Sequence, residues 1–416
     1  MAAAAVFGLY TFRRLQTHTS IVERNQLNDF SVLSVHCAHV SPIAASQFQQ
    51  RQNKLAQTLY ELGAAAYIAE PGPNAQYYAN ISLSDWWLSE RPFLVVITPE
   101  VAHASMAADK PEVEAKVTII TPRFEAARAS LLHIPTPDTQ SDVIFAEWAE
   151  DGNPYELVTD IIATLRSTAY KPTQVLVDEG TRFFVVDGIV TAVSKHGYQV
   201  HNTPPEVAAI RERKTKEEIE ILRCANEVCR VIAGEYRRTP YAPSFRSHYK
   251  PFDLFKVRCT SVYVSLRHGP WFVLHLQPLD WRMSTALFSL EVIIWYHRAS
   301  QGLMSPSTEN ASLPHGSGTD RILTRNDLIL FDIGGSLHGY YSDLTRTFAL
   351  PDSHIPTQAL EKWFLVQTAQ KVAARTAREG ALASDVDAAA RKVIEQKGLG
   401  KWFTHRLGHG QWSMEP

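Results

Sequence analysis

Leu328-Ile-Leu-Phe-Asp-Ile-Gly-Gly-Ser-Leu-His-Gly-Tyr-Tyr-Ser-Asp-Leu-Thr-Arg-Thr-Phe348 is the stretch on which the reading of this chain turns. An apolar run, Leu328 to Phe331, delivers Asp332. Gly334, Gly335 and Gly339 read as turn residues, since glycine enters tight turns without steric cost. An aromatic strand then delivers Asp343, eleven residues after Asp332. Two carboxylates converging in a half-buried hairpin repel, and one is pushed towards its neutral form unless a cation sits between them. Oxygen ligands of this kind suit hard divalent metals. The spacing therefore predicts a metal site on a hairpin.

Histidines flank it. His315 lies seventeen residues before Asp332, in Asn310-Ala-Ser-Leu-Pro-His-Gly-Ser-Gly318. His405 and His409 lie four apart in Phe403-Thr-His-Arg-Leu-Gly-His-Gly410. In this order the motifs resemble the creatinase/aminopeptidase P/prolidase family of pita-bread metallopeptidases. The resemblance implies carboxylate ligands at Asp332 and Asp343, the latter bridging two metals, and an imidazole ligand at His409. It implies substrate and transition-state contacts at His315 and His405, and a group supporting the bridging acid at Thr345. The implied cofactor is a divalent metal, Mn2+ foremost, as a pair in the complete fold. The implied chemistry is hydrolysis by a metal-activated water, and the implied substrate is a short peptide with proline at its second position.

Two departures qualify this. The family places two glutamate ligands in strands after the His-Gly motif, whereas here Gln411-Trp-Ser-Met-Glu-Pro416 follows it and Glu415 has no matching setting. The expectation is a C-terminally truncated catalytic domain with three ligands. The second departure is residues 239–307. Residues 241–300 hold twelve aromatics, three acids and seven Lys or Arg, and no period of 3.6 or 2 persists there. The segment reads as a retained intron or a family-specific insertion. His248, His268, His275 and His297 within it have no ligand spacing. Its apolar run near Ala286 to Tyr296 is too short for a bilayer and carries Glu291.

Three functions remain open. One is a metal-dependent exopeptidase cleaving before proline. Another is a catalytically impaired relative acting as a binding or oligomer partner, or a defective gene product. The last is a creatinase-like, metal-free amidinohydrolase, which the retained Asp332, Asp343 and His409 disfavour.

The predicted fold class is α+β. Residues 1–35 read as an irregular leader and 36–203 as a ribonuclease-H-like α/β domain of creatinase N-terminal type. Residues 204–416 read as an incomplete pita-bread domain. Helices are predicted over Ser46–Gly63, Asn153–Arg166 and Thr181–Lys195, and strands over Ala65–Ala69, Phe93–Thr98, Val117–Thr121 and Gln174–Asp178, from their apolar periods. Thr215-Lys-Glu-Glu218 is a capping box, followed by an apolar stripe at Ile219, Leu222, Cys229 and Ile232. Long helices are predicted over Ile355–Glu379, with Leu360, Phe364, Leu365 and Val372 inward, and from Ser384 through Ile394. Tyr77, Tyr78, Trp86 and Trp87 read as half-buried packing, with a substrate mouth or a subunit contact as the functional alternatives.

Composition sets outer bounds. The 416 residues carry a formal net charge of −2, which leaves no electrostatic footprint for nucleic acid. The four cysteines, Cys37, Cys224, Cys229 and Cys259, form no Cys-x-x-Cys pair. Cys224 and Cys229 read as small core residues on a helix, and nothing calls for an oxidising compartment. Met1 to Tyr10 is apolar, but Arg13 and Arg14 follow it, the reverse of a signal peptide. The expected location is cytoplasmic. No membrane span is expected, and the resemblance allows a homodimer.

Overall fold

The structure is a computed structural model, and it describes residues 36–83, 85–101, 111, 113–135, 143–165, 170–238, 262–264, 276–278, 288–296, 325–349 and 353–410. The expectations for the leader, for His248, His268, His275, His297 and His315, and for residues 411–416 lie outside these. The chain divides into two units, one of residues 41–219 and the other of 220–411 together with 1–40.

In the first unit, α1 (Ala45–Leu62) leads into β1 (Ala64–Ala69) and α2 (Pro73–Ala79). β2 (Leu94–Val101), β3 (Val113–Pro122) and β4 (Ile144–Trp148) follow. After them come α3 (Glu156–Ala163), β5 (Gln174–Val177), α4 (Phe183–Ser194), β6 (Gln199–Asn202) and α5 (Pro205–Glu212). One mixed sheet has strand order β4-β3-β2-β1-β5-β6. β1 pairs antiparallel to β2 and parallel to β5, so the chain crosses over between β1 and β5.

Why these runs are nearly all apolar follows from the two cores. Strand side chains alternate between faces. Tyr67, Val95, Ile97 and Ile119 pack with Leu55 and Leu59 of α1, Tyr78 of α2 and Ile210 of α5. Their neighbours Ile68, Leu94, Val96 and Ile120 pack with Val158 and Ile162 of α3 and Val185, Ile189 and Val193 of α4. A sheet covered on both faces has no polar side to show, so its strands read as continuous hydrophobic runs. The pair of Tyr77 and Tyr78 is packing, each under 5% exposed, as is Trp86 at 2%, whereas Trp87 is 76% exposed.

The second unit begins within α6 (Lys216–Arg238). The predicted capping box precedes it. Thr215 N–H donates to Glu218 Oε2 at 2.7 Å and Glu218 N–H to Thr215 Oγ1 at 3.3 Å. The buried stripe of α6 runs through Ile221, Leu222, Ala225, Val228 and Cys229; Ile219 is 45% exposed, contrary to expectation. β7 (Val262–Val264) pairs with β8 (Leu276–Pro278). β9 (Phe288–Tyr296), β10 (Ile329–Leu337) and β11 (Tyr340–Phe348) form a sheet in the order β11-β10-β9. Thus a run that showed no period supplies a strand paired along the whole of β10, from Phe288↔Leu337 to Tyr296↔Ile329.

The β10–β11 turn is tighter than the glycines suggested. Gly334 and Gly335 lie inside β10, paired with Asp343 and Ser342, and only His338 and Gly339 turn. Both have positive φ, 51° and 82°, as a two-residue type I′ hairpin needs. Gly334 serves close approach instead, because a Cβ there would lie 3.2 Å from the Ser342 carbonyl oxygen.

α7 (Thr357–Thr376) and α8 (Ala383–Glu395) pack through Ala369, Ala373, Ala390 and Ile394. Leu360 and Phe364, expected inward, are 37% and 57% exposed. Leu365, also expected inward, does pack against this cluster. Trp363 Nε1–H donates to the Thr347 carbonyl at 3.3 Å and ties α7 to β11. Among the described residues no helix is long and apolar enough to cross a membrane.

Candidate metal centre

The hairpin ladder runs Asp332↔Thr345 and Gly334↔Asp343. Positions 332 and 343 are therefore diagonal across the pair, on one face of the hairpin. Ser342, one residue before Asp343, alternates to the buried side. Its hydroxyl donates to the Gly335 carbonyl at 3.1 Å and accepts the Gly335 N–H at 3.0 Å. Cys229 Sγ of α6 lies 3.0 Å from the same oxygen, and because the hydroxyl proton is already placed, the thiol donates. Burial pushes the Cys229 thiol up in pKa, against the opposing pull of Ser342. This network holds the strand from one side while Asp343 projects from the other, 48% exposed.

His409 reaches Asp343. Its Nε2 lies 3.0 Å from Asp343 Oδ2. Its Nδ1 lies 2.9 Å from the Gly410 carbonyl oxygen, which only accepts, so Nδ1 carries a proton. In the neutral ring Nε2 is then an acceptor facing a carboxylate oxygen. Two acceptors in contact call for a proton or a cation between them. Donors about 2.1 Å from an octahedral ion in neighbouring positions are about 3.0 Å apart, so the observed spacing suits a shared hard cation. The carboxylate and imidazole donors fit the implied metal. Asp332 enters by its backbone position alone.

His405 is exposed and turns its Nδ1 to the Arg406 carbonyl at 2.7 Å. What holds the His405–His409 loop was not anticipated from the motif. Arg391 of α8 donates to Asp387 through Nε and Nη2, at 2.9 and 3.0 Å. It also donates to the carbonyls of Phe403 at 2.5 Å and His405 at 3.2 Å. Asp387 Oδ1 in turn accepts the Leu407 N–H at 2.7 Å. The Arg391 guanidinium, then that N–H, hold the Asp387 carboxyl below the usual range. The available signal was the Asp387/Arg391 spacing of four on a helix, ordinarily a surface pair.

A second metal-competent group lies in the same unit. His36, Cys224 and Glu227 bring one donor atom each within 4.8 Å of one another. Cys224, expected to be a small core residue rather than a redox group, is buried as expected but is also disulfide-bonded to Cys37. The pairing was hidden because the partners lie 187 residues apart.

The comparisons with known proteins agree with this architecture. The profile of metallopeptidase family M24 matches residues 292–411. An uncharacterized peptidase of Schizosaccharomyces pombe is 30% identical over 375 residues, covering 88% of this chain and 70% of the relative. A Mycobacterium tuberculosis protein named "Probable dipeptidase PepE" is 42% identical over 100 residues, 26% of its own length. Among solved structures, dipeptidase PepE from Mycobacterium ulcerans matches with a TM-score of 0.61 at 21% identity, covering 90% of this chain and 84% of that one. Prolidase from Thermococcus sibiricus matches at 0.60 and 20% identity, covering 89% and 84%. At such identities the likeness shows the fold, an N-terminal α/β unit followed by a pita-bread type unit. The fission-yeast relative shares the sequence across most of both chains, and the profile covers Asp332, Asp343, His405 and His409, so this chain belongs to metallopeptidase family M24.

Proposed function

We propose that this chain is a ligand-poor member of its family. In this reading it holds one divalent ion, Mn2+ by donor chemistry, through Asp343, His409 and Asp332, and engages short peptides with proline at the second position. Within these 416 residues the site has three candidate donors and no match to the two glutamate ligands of the family motif, and three donors suit one ion rather than a pair, which is the sense in which two-metal hydrolysis is impaired here. The single observation supporting the site is the 3.0 Å approach of His409 Nε2 to Asp343 Oδ2 with Nδ1 already bonded elsewhere. A divalent ion bound there supplies Lewis-acid polarisation of a carbonyl and a more acidic water. The chain's own contribution is positional. Arg391 and Asp387 anchor the loop, His405 carries its proton on Nδ1 and leaves Nε2 to accept one, and His315 is a second substrate contact.

A further reading, full two-metal cleavage of Xaa-Pro bonds, draws on the dipeptidase and prolidase names of the similar proteins. Titrating Mn2+ into the full chain while assaying an Xaa-Pro dipeptide separates the two. One ion bound, lost in Asp343→Asn, with background turnover supports the impaired relative. Mn2+-dependent turnover lost in Asp343→Asn supports the full peptidase. No Mn2+ binding rejects both.

A further inference from the structure

The disulfide joins two segments that each carry another metal-ligating side chain. Cys37 follows His36 directly. Cys224 and Glu227 are three apart on α6, hence on one face of the helix. His36 Nε2 lies 3.2 Å from Glu227 Oε2, and the His36, Cys224 and Glu227 donor atoms are all within 4.8 Å of each other. The two cysteines are buried, Cys37 5% and Cys224 3% exposed, whereas the His36 and Glu227 side chains are 37% and 43% exposed. Cys224 Sγ therefore lies beside a half-exposed imidazole–carboxylate pair, and Cys37 Sγ is joined to it by the disulfide.

In the disulfide the sulfurs carry no thiolate, and thiolate is the form that binds metal. We propose that Cys37, Cys224, His36 and Glu227 form a redox-gated zinc site, closed as the disulfide and competent as the dithiol. Two thiolates, one imidazole and one carboxylate make the four-coordinate set that zinc favours. The opening step balances with a small dithiol as reductant. Its two sulfurs become joined, the Cys37–Cys224 bond breaks, and its two protons pass to the protein thiols. Zinc then displaces those two protons as it binds. Disulfide and metal exclude one another, because the same two sulfurs serve both.

Zinc would replace the disulfide as the tie between residues 36–40 and α6. That segment has a further attachment within the unit, His338 Nε2 to the Val40 carbonyl at 3.0 Å, where the carbonyl accepts. The residues thus remain near each other when the sulfur bond opens. The site shares no residue with the Asp343–His409 centre and stands or falls separately from it.

The test uses the full chain, purified oxidised, and the same protein reduced with dithiothreitol and desalted without oxygen. Denatured thiol counts come first, and reduction should add two. Zinc is then titrated into each form, with cobalt(II) as the spectroscopic stand-in. The expected result is one more zinc per chain in the reduced form, with a thiolate-to-cobalt charge-transfer band absent from the oxidised form. Cys37→Ser with Cys224→Ser should abolish both. Glu227→Gln and His36→Asn keep the cysteines and control for folding. Each should weaken zinc by at least the roughly 10-fold that loss of even an outer metal partner costs. Asp343→Asn should leave the redox-dependent zinc in place. Equal zinc in both forms overturns the proposal. A cobalt band surviving in the double serine variant does so too, by placing the thiolates at Cys229 or Cys259. Four reactive thiols before reduction would remove the gate.

Discussion

Glu218 shows how much one side chain can be asked to do. It closes the capping box at the start of α6, yet it is fully buried. It lies 3.2 Å from Arg51 of α1, whose guanidinium also donates to the Tyr77 carbonyl and stacks over the Tyr77 ring. Breaking a buried ion pair from one side strands the other charge, which costs about 3–5 kcal/mol. Glu218→Gln should therefore lower the urea midpoint far more than Thr215→Ala, where loss of a cap costs about 1 kcal/mol. Comparable midpoints for the two variants would mean that Arg51 is served by other partners. Asp387 makes a different prediction. Its pKa is depressed in the folded chain, so its hold on Leu407 is present above the ordinary carboxylate range and is lost as pH falls through the lowered value. Amide exchange at Leu407 should accelerate in Asp387→Asn at neutral pH, and in the parent chain only under acid. Unchanged exchange in the variant would show that Arg391 alone anchors the loop.

At the scale of elements, close approach governs. Gly188 lies in α4 with the Tyr155 ring against it, and a Cβ there would sit 2.1 Å from a ring carbon. Gly188→Ala gains helix propensity on paper, but overpacking of this kind costs about 1–3 kcal/mol. Thermal unfolding should show a net loss, and a gain would mean that Tyr155 swings clear. On α7 and α8 the buried contact runs through Ala369, Ala373, Ala390 and Ile394, with Leu365 packed against them. Periodicity located both helices and most of the first sheet's strands, since their residues meet neighbours on known faces. It could not choose between two apolar stripes on α7, because which stripe is buried depends on the surface of α8. Nor could it find β9, β4 or β6. β9 is defined by its pairing with β10, and a strand's partner is not written in its own period.

For the whole molecule, the first unit is complete in itself. Its six strands, both cores and the Arg51–Glu218 pair all fall within residues 41–219, which contain no cysteine. A fragment of these residues should unfold cooperatively in urea with a midpoint indifferent to reductant. A broad or absent transition would show that it depends on the other unit. Residues 36–40 belong instead to the second unit, fastened there by Cys37–Cys224, His36–Glu227 and His338–Val40. By itself the sequence determined the two-part α+β plan, the capping box, the hairpin that carries Asp332 and Asp343, and the family, because these rest on local periods and on short motifs. Only the tertiary structure decided that Asp387 and Arg391 hold the loop that carries His409, and that Cys37 joins Cys224. Those contacts bridge residues between four and 187 positions apart, and proximity of that kind is set by how the chain packs, not by the order in which it is read.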